Sequence, residues 1–287
     1  MYKRWIFILS MMVLFSFACQ AVTGIGGVVR GSGEVVSETR QVSGFDQISV
    51  CCGMQLIVTQ GDVESLEIEA DDNLLPEIVT TVSGGRLTIR FKDDQGRTQY
   101  WPSQPIRCTV TAIAVRRLEV SGGGSLDAGL IETDDLQIDT SGGSQADVGS
   151  VVADTMRVEV SGGGEFYAQD LQVNRLELDL SGGSTGSIDS LEGETLKLDN
   201  SGGGEVMVAG RVTEQDVSIS GGGKHLAGDL KSETVVISMS GGGQAGLWVE
   251  ESLDADLSGG ARVEYYGRPR ITEQVSGGSE LVSLGER

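Results

Sequence analysis

The stretch "VEVSGGGEFYAQDLQVNRLELDLSGGSTGSI", residues 158–188, contains one pattern twice. Leu176, Leu178 and Leu180 alternate with charged residues and run into Ser181-Gly182-Gly183, just as Val158 and Val160 run into Ser161-Gly162-Gly163. Past the first glycine group Phe166 and Ala168 resume the alternation, and Leu171 adds a third apolar point. Strict alternation over five residues marks a strand with one buried face. Ser-Gly-Gly begins at Ser121, Ser141, Ser161, Ser181, Ser201, Ser220, Ser240, Ser258 and Ser276, at spacings of 18 to 20 residues.

A period of about twenty fits a leucine-rich repeat or a β-helix coil. Strand, corner, strand and a short connection leave no room for a helix in each unit, and the Asn or Cys ladder of a leucine-rich repeat is missing. The pattern therefore predicts an all-β parallel β-helix, whose stacked coils pair their backbones about 4.8 Å apart and merge their apolar columns into one core. The corner also accounts for the 43 glycines, because glycine takes positive φ without a Cβ penalty. Serine adds a hydroxyl able to bond turn backbone or the next coil's serine. Phosphate- or calcium-binding readings of these turns are weaker, since neither a P-loop Lys-Ser/Thr nor the nonapeptide Gly-Gly-x-Gly-x-Asp occurs.

Working outward, residues 111–287 form the regular coils and 34–110 the less regular ones of a single domain spanning 34–287. Val82-Ser83-Gly84-Gly85-Arg86-Leu87 has the form of a hairpin, and the segment from Asp93 to Pro105 reads as a polar loop. At the front, Lys3 and Arg4 precede an apolar run from Trp5 to Ala18 that is short for a membrane span and has the form of a secretory signal. Its end, Phe15-Ser16-Phe17-Ala18-Cys19, resembles a bacterial lipoprotein signal, which makes residues 1–19 the signal and Cys19 the lipid attachment point. Cleavage after Ala21 is the alternative. Residues 20–33, with "TGIGGVVRGSG", read as a flexible tether. The formal charge of −21 becomes −23 once Lys3 and Arg4 are removed, which opposes nucleic acid as a partner.

"VSGFDQISV", "LIVTQGD", "IEADDNLLPEI", "GGRLTIRF" and the serial "SGGG" together resemble the bacterial family called putative auto-transporter adhesin, head GIN domain, from Val35 to the C-terminus. The resemblance implies a β-helix-like solenoid on an exported, often lipid-anchored protein.

No catalytic residues and no cofactor are expected. The single histidine, His225, falls in an inward column beside Ala227, which reads as packing, with no second His or nearby Cys to build a metal site. Two residues before the corner serines, on the outward face, stand Glu119, Asp139, Glu159, Asp179 and Asp199, a ladder beside Arg117, Gln137, Arg157, Glu177 and Lys197. The bland reading is a solvated mixed-charge face; the sharper one is a site for divalent cations or a basic partner. Tyr167, Trp248, Tyr100, Trp101 and Tyr266 are outward aromatics suited to sugar or protein contacts. These features favour a non-catalytic envelope protein that binds an envelope protein or glycan and meets the membrane through its lipid anchor alone. The alternative is a polysaccharide lyase or hydrolase, against which the near-constant coil length leaves little room for a walled cleft. In "QISVCCGMQLIVTQG", residues 47–61, Cys51 occupies the slot of a corner serine and Cys52 that of a glycine. A disulfide from Cys108 to Cys51 or Cys52 is the candidate pairing, and strain disfavours a bond between the neighbours.

Overall fold

The structure, a computed structural model, describes residues 27–93 and 97–287. Within it the period becomes a parallel β-solenoid. Leu118, Ile138, Val158, Leu178 and Leu198 stack in register on one side of the corner. Leu126, Ala146, Phe166, Gly186 and Val206 stack on the other. Both sets face inward, and except for Gly186 all are buried hydrophobics of a single cluster running the length of the stack. A coil contributes only a handful of these side chains, so its apolar face is covered by its neighbours rather than by itself.

The connection after each second strand is more ordered than the strand–corner–strand unit implies. Glu165–Gly182, Glu205–Gly221 and Lys224–Gly241 each run as one continuous strand through it. Here the differences in coil length are absorbed: the register shifts between Ile188 and Leu191, and again between Ala227 and Lys231 and between Ser232 and Thr234. The corners stay aligned, with Ser201 opposite Ser220, Ser220 opposite Ser240 and Ser240 opposite Ser258.

At the corner, Gly182 has φ +77°, and a Cβ there would lie 2.6 Å from the Gly162 carbonyl oxygen. That approach lets Gly183 N–H donate to the same oxygen at 3.0 Å. Cys52 is the only non-glycine with positive φ, +68°, among the described residues. Its successor in the stack, Gly122, shares that φ, and its Cβ position points back at Cys52 N, 3.2 Å away. The Cβ of this corner position thus faces the preceding coil. Cys52 lies at the first such corner: Gln47–Val50 stacks on Arg86–Phe91, which runs on as a strand past the level where the turn begins. No corner lies beneath Cys52, so its side chain is exposed.

The less regular region is a cap as much as a set of coils. Ile78–Ser83 is antiparallel to Arg86–Phe91, closing the hairpin at Val82 and Leu87. Val35–Arg40 runs antiparallel to Ser65–Asp71, which runs antiparallel to Arg107–Ala112. Reversing direction ends a parallel stack without leaving its first coil open. Arg40 joins the two outermost strands, its Nη1 donating to the Ile78 carbonyl at 2.8 Å and its Nη2 to the Leu75 carbonyl at 3.1 Å.

The tether expectation is corrected in part. Val28–Arg30, inside residues 20–33, is a strand paired in parallel with Gln99–Trp101, which lies inside the expected polar loop. Both segments are tied down by Asp71. Its carboxylate accepts from Gly33 N–H at 2.8 Å, Ser103 N–H at 2.9 Å and the Ser103 hydroxyl at 2.6 Å. Against the upward push of desolvation, these bonds hold the Asp71 pKa below its usual value. Gly31 passes so close to this carboxylate that a Cβ would overlap it, at 2.1 Å from Oδ2.

Candidate functional site

The outward residues just before the corner form an open groove of about 630 Å³ that crosses successive coils. In its floor Glu119, Asp139, Glu159, Asp179 and Asp199 stand opposite one another in register, followed by Ser218, Ser238 and Asp256. Along its edge runs a parallel row of corner serines, among them Ser141, Ser161, Ser181, Ser201, Ser220 and Ser240. Neighbouring rungs lie about 4.8 Å apart, a separation at which two carboxylates in water repel by roughly 1 kcal/mol or less.

The chain's own cations relieve part of that repulsion. Arg157 is the centre: Nε donates to Glu159 at 2.9 Å, Nη1 to Glu177 at 3.0 Å and Nη2 to Asp179. The bond to Glu159, with the other two carboxylates, raises the Arg157 pKa above its already high value. Arg86 reaches Glu119 at 3.0 Å, and Lys197 lies 3.4 Å from Asp199. Arg117 Nε lies 2.7 Å from Asp139 Oδ2, near enough for Coulombic attraction but out of line for a hydrogen bond; Gln137 Nε2 donates to the other oxygen at 3.0 Å. Partial burial outweighs these partners at two rungs: desolvation raises the pKa of Asp139 and of Asp179 above the usual carboxylate value. Among the described residues, no group of three or more His, Cys, Asp or Glu side chains is placed to hold a metal ion. The groove thus combines hydroxyls and cation-paired carboxylates with apolar lining from Val160, Leu180, Ile219 and Met239, and its polar groups suit amines, guanidinium groups or the hydroxyls of an extended ligand.

The family model described as putative auto-transporter adhesin, head GIN domain, matches residues 44–185 and 167–269. The chain belongs to this family. Among solved structures, a putative adhesin from Parabacteroides merdae is 20% identical, with 90% of this chain and 99% of that one covered at a TM-score of 0.67. A putative lipid binding protein from Parabacteroides distasonis gives 20%, 90%, 99% and 0.66 for the same quantities. For a putative adhesin from Bacteroides fragilis they are 18%, 90%, 99% and 0.51. At these identities the likeness is one of fold. No curated protein matches the chain. The head GIN domain is thus an all-β solenoid here as in those neighbours.

The remaining expected sites lie apart from the groove. Cys19 falls outside the described residues. The expected pairing of Cys108 is corrected: the disulfide joins Cys51 to Cys52, and Cys108 is a free, buried thiol. Cys108 stands opposite Leu56 in an inward column, whereas Cys52 points out at the first corner, so the two sulfurs belong to opposite faces of the coil wall. Burial pushes the Cys108 thiol up to about 12. Of the aromatics, Tyr100 is stacked on Phe91 at 3.9 Å between ring centroids. Trp248 carries Lys231 and Arg287 over its ring, at 5.7 and 5.2 Å. Trp101 is 59% exposed.

His225 is buried, as its column implies, but it does more than pack. Its Nε2 lies 3.0 Å from Gln215 Oε1, and Gln215 Nε2 donates to the Ser232 hydroxyl. With that amide orientation Nε2 carries the proton, and Nδ1 is left without a partner. Desolvation lowers the His225 pKa to about 4. The sequence held a signal for this trio: Gln215 stands five residues before Ser220, in the slot that other coils fill with Met156, Leu176 and Leu196.

Proposed function

We propose that this head GIN domain is the non-catalytic, outward-facing part of an exported and lipid-anchored cell-envelope protein, and that the acidic, serine-edged groove binds an extended partner. The observation carrying this reading is the register of the groove itself. Eight successive coils present either a carboxylate or a hydroxyl at one position, which offers a periodic ligand the same contact at each rung. A glycan chain or a basic segment of an envelope protein has the matching chemistry. Adhesin names among the structural neighbours support a surface-binding role, and the Arg157 and Arg117 pairings favour such partners over bare divalent cations at the ladder.

The test is a glycan array read beside a pull-down from envelope extract, using the intact chain and a Glu159→Gln/Asp179→Asn/Asp199→Asn variant. Capture by the native groove that falls at least tenfold in the variant, about 1.4 kcal/mol of binding energy, is the expected result. Equal capture by both would remove the groove from the binding surface. A polysaccharide-depolymerisation screen that yields a new reducing end or unsaturated product would replace the reading by the enzymatic one. A calcium titration at millimolar metal, read by thermal stability and calorimetric heat, is expected to show no change.

A further inference from the structure

The two-stranded sheet of Val28–Arg30 and Gln99–Trp101 is separate from the solenoid wall. Alternation turns Val29 and Tyr100 inward and leaves Val28, Arg30, Gln99 and Trp101 on the outer side, all exposed. Val28 is 55% and Trp101 59% exposed, and the Arg30 guanidinium lies 5.8 Å from the centre of the Trp101 ring, to which Arg30 is directly opposite. The sheet is fixed to the body. Gly31 N–H donates to the Trp101 carbonyl at 2.9 Å, Asn73 Nδ2 donates to the Arg30 carbonyl at 2.8 Å, and Asp71 clamps Gly33 and Ser103. An exposed tryptophan beside a cation, on a rigid support, has the composition of a membrane-interface contact, where the indole sits at headgroup level.

Two further observations choose the occupant. Only seven residues, 20–26, separate Cys19 from Gly27, so a lipid on Cys19 holds Gly27 within roughly 26–29 Å of the bilayer even with the chain fully extended. Trp101, level with Arg30, lies about 10 Å further along the strand. Charge is also unevenly spread along the molecule. Residues 27–117 hold nine Lys and Arg against twelve Asp and Glu, a net −3, whereas residues 118–287 hold ten against thirty, a net −20. An anionic phospholipid surface repels the coils and tolerates the cap, which sets the cap toward the membrane.

We infer that the outer face of this sheet, with Trp101, Val28 and Arg30 as its contacts, rests on the phospholipid headgroup layer and holds the solenoid with its acidic coils directed away from the membrane. The inference rests on the lipid-anchor reading of Cys19. Trp101 and Trp248 are the tryptophans that remain once the signal is removed, so the Trp248→Phe variant isolates Trp101 as a reporter and Trp101→Phe isolates Trp248. Each full-length chain is expressed with its signal, purified from membranes and reconstituted into vesicles of phosphatidylethanolamine and phosphatidylglycerol with brominated acyl chains. Acylation of Cys19 is read by mass and anchoring by co-flotation.

The expected result is blue-shifted Trp101 emission, quenched severalfold more than that of Trp248, with both effects reversed when the protein is released into detergent-free buffer by proteolysis of the tether. An acylated, co-floating protein whose Trp101 remains unquenched and open to aqueous iodide would overturn the seat while leaving the anchor intact. Absence of acyl mass on Cys19, with no co-flotation, would overturn the anchor and the seat with it. Protection of Trp101 in vesicle-free solution that grows with protein concentration would assign the face to a second copy of the chain and likewise overturn the inference.

Discussion

His225 occupies a column filled in other coils by Leu126, Ala146, Phe166, Val206, Ala245 and Val263, and Gln215 one that holds Leu196 and Val235 on either side. Each polar intruder is satisfied mainly by the other and by Ser232. The cost appears in acid. The unfolded histidine takes up its proton near 6.5 and the folded one only near 4. Stability is therefore unaffected by this group above pH 6.5, is lost as pH falls from there to about 4, and changes no further below. At 1.36 kcal/mol per pKa unit the loss is roughly 3 kcal/mol. Carboxylates titrate in the same window, so the clean quantity is a difference. Denaturant unfolding of the native chain and of His225→Val/Gln215→Leu, which restores each column's own residue type, should diverge by that amount between pH 7 and pH 4. Parallel pH curves would show that His225 is not held buried and neutral in the folded chain. A second residue-scale expectation concerns sulfur. Of Cys51, Cys52 and Cys108, none should react with an alkylating reagent while the protein is folded, one (Cys108) on denaturation, and all three on denaturation with reductant; three thiols on denaturation without reductant, or one already reactive in the folded protein, would contradict the Cys51–Cys52 bond. That the cysteine pair is a substituted corner was legible from spacing alone. Which sulfurs bond was not, because inward and outward positions alternate residue by residue, and the exposure of Cys52 depends on the missing corner beneath it.

At the scale of the element, strands and corners were legible because each coil repeats the same demand. The alternation that predicts a strand also places its hydrophobic side, and the glycine spacing gives the stacking register. The cap was less legible. Antiparallel and parallel strands share the same alternation, so nothing in Leu66 and Ile68 or Leu87 and Ile89 says in which direction the neighbouring strand runs; that is decided by connections whose lengths follow no period. The Val28–Arg30 strand was hidden for a related reason, since three residues among glycines carry no periodic signal and their partner lies some seventy residues away. The corners themselves are open to a paired test. Gly182→Ala forces a left-handed alanine whose Cβ meets the Gly162 carbonyl and should cost about 1–3 kcal/mol. Gly163→Ala, where φ is ordinary and open space surrounds the Cβ position, should be neutral or stabilise by about 0.4–1 kcal/mol. Equal costs in thermal unfolding would mean that composition rather than stacking demands the glycines.

Across the whole molecule, stacking converts a sequence charge into columns of charge. The net −20 of residues 118–287 is arranged on rungs about 4.8 Å apart, so each carboxylate repels not only its neighbour but the second and third rungs, at about 10 and 14 Å. The attractions are of shorter range: Arg157, Arg86 and Arg262 sit about 3 Å or less from their carboxylates. Salt acts unequally on the two. With a screening length of about 10 Å at 0.1 M, the repulsion summed over several rungs is largely removed, while contact pairs and bifurcated guanidinium bonds lose less. Exposed pairs of this kind contribute only about 0.2–1 kcal/mol each to begin with. The domain should therefore become more stable, with a higher Tm, as sodium chloride rises from roughly 20 mM to 200 mM, the range over which the screening length drops below the span of three rungs. Arg157→Ala, which removes the centre of the groove's pairing and leaves Glu159, Glu177 and Asp179 facing one another, should steepen that rise. A Tm that falls with salt in the native chain would show that the ion pairs, and not the carboxylate columns, dominate the electrostatics of the stack.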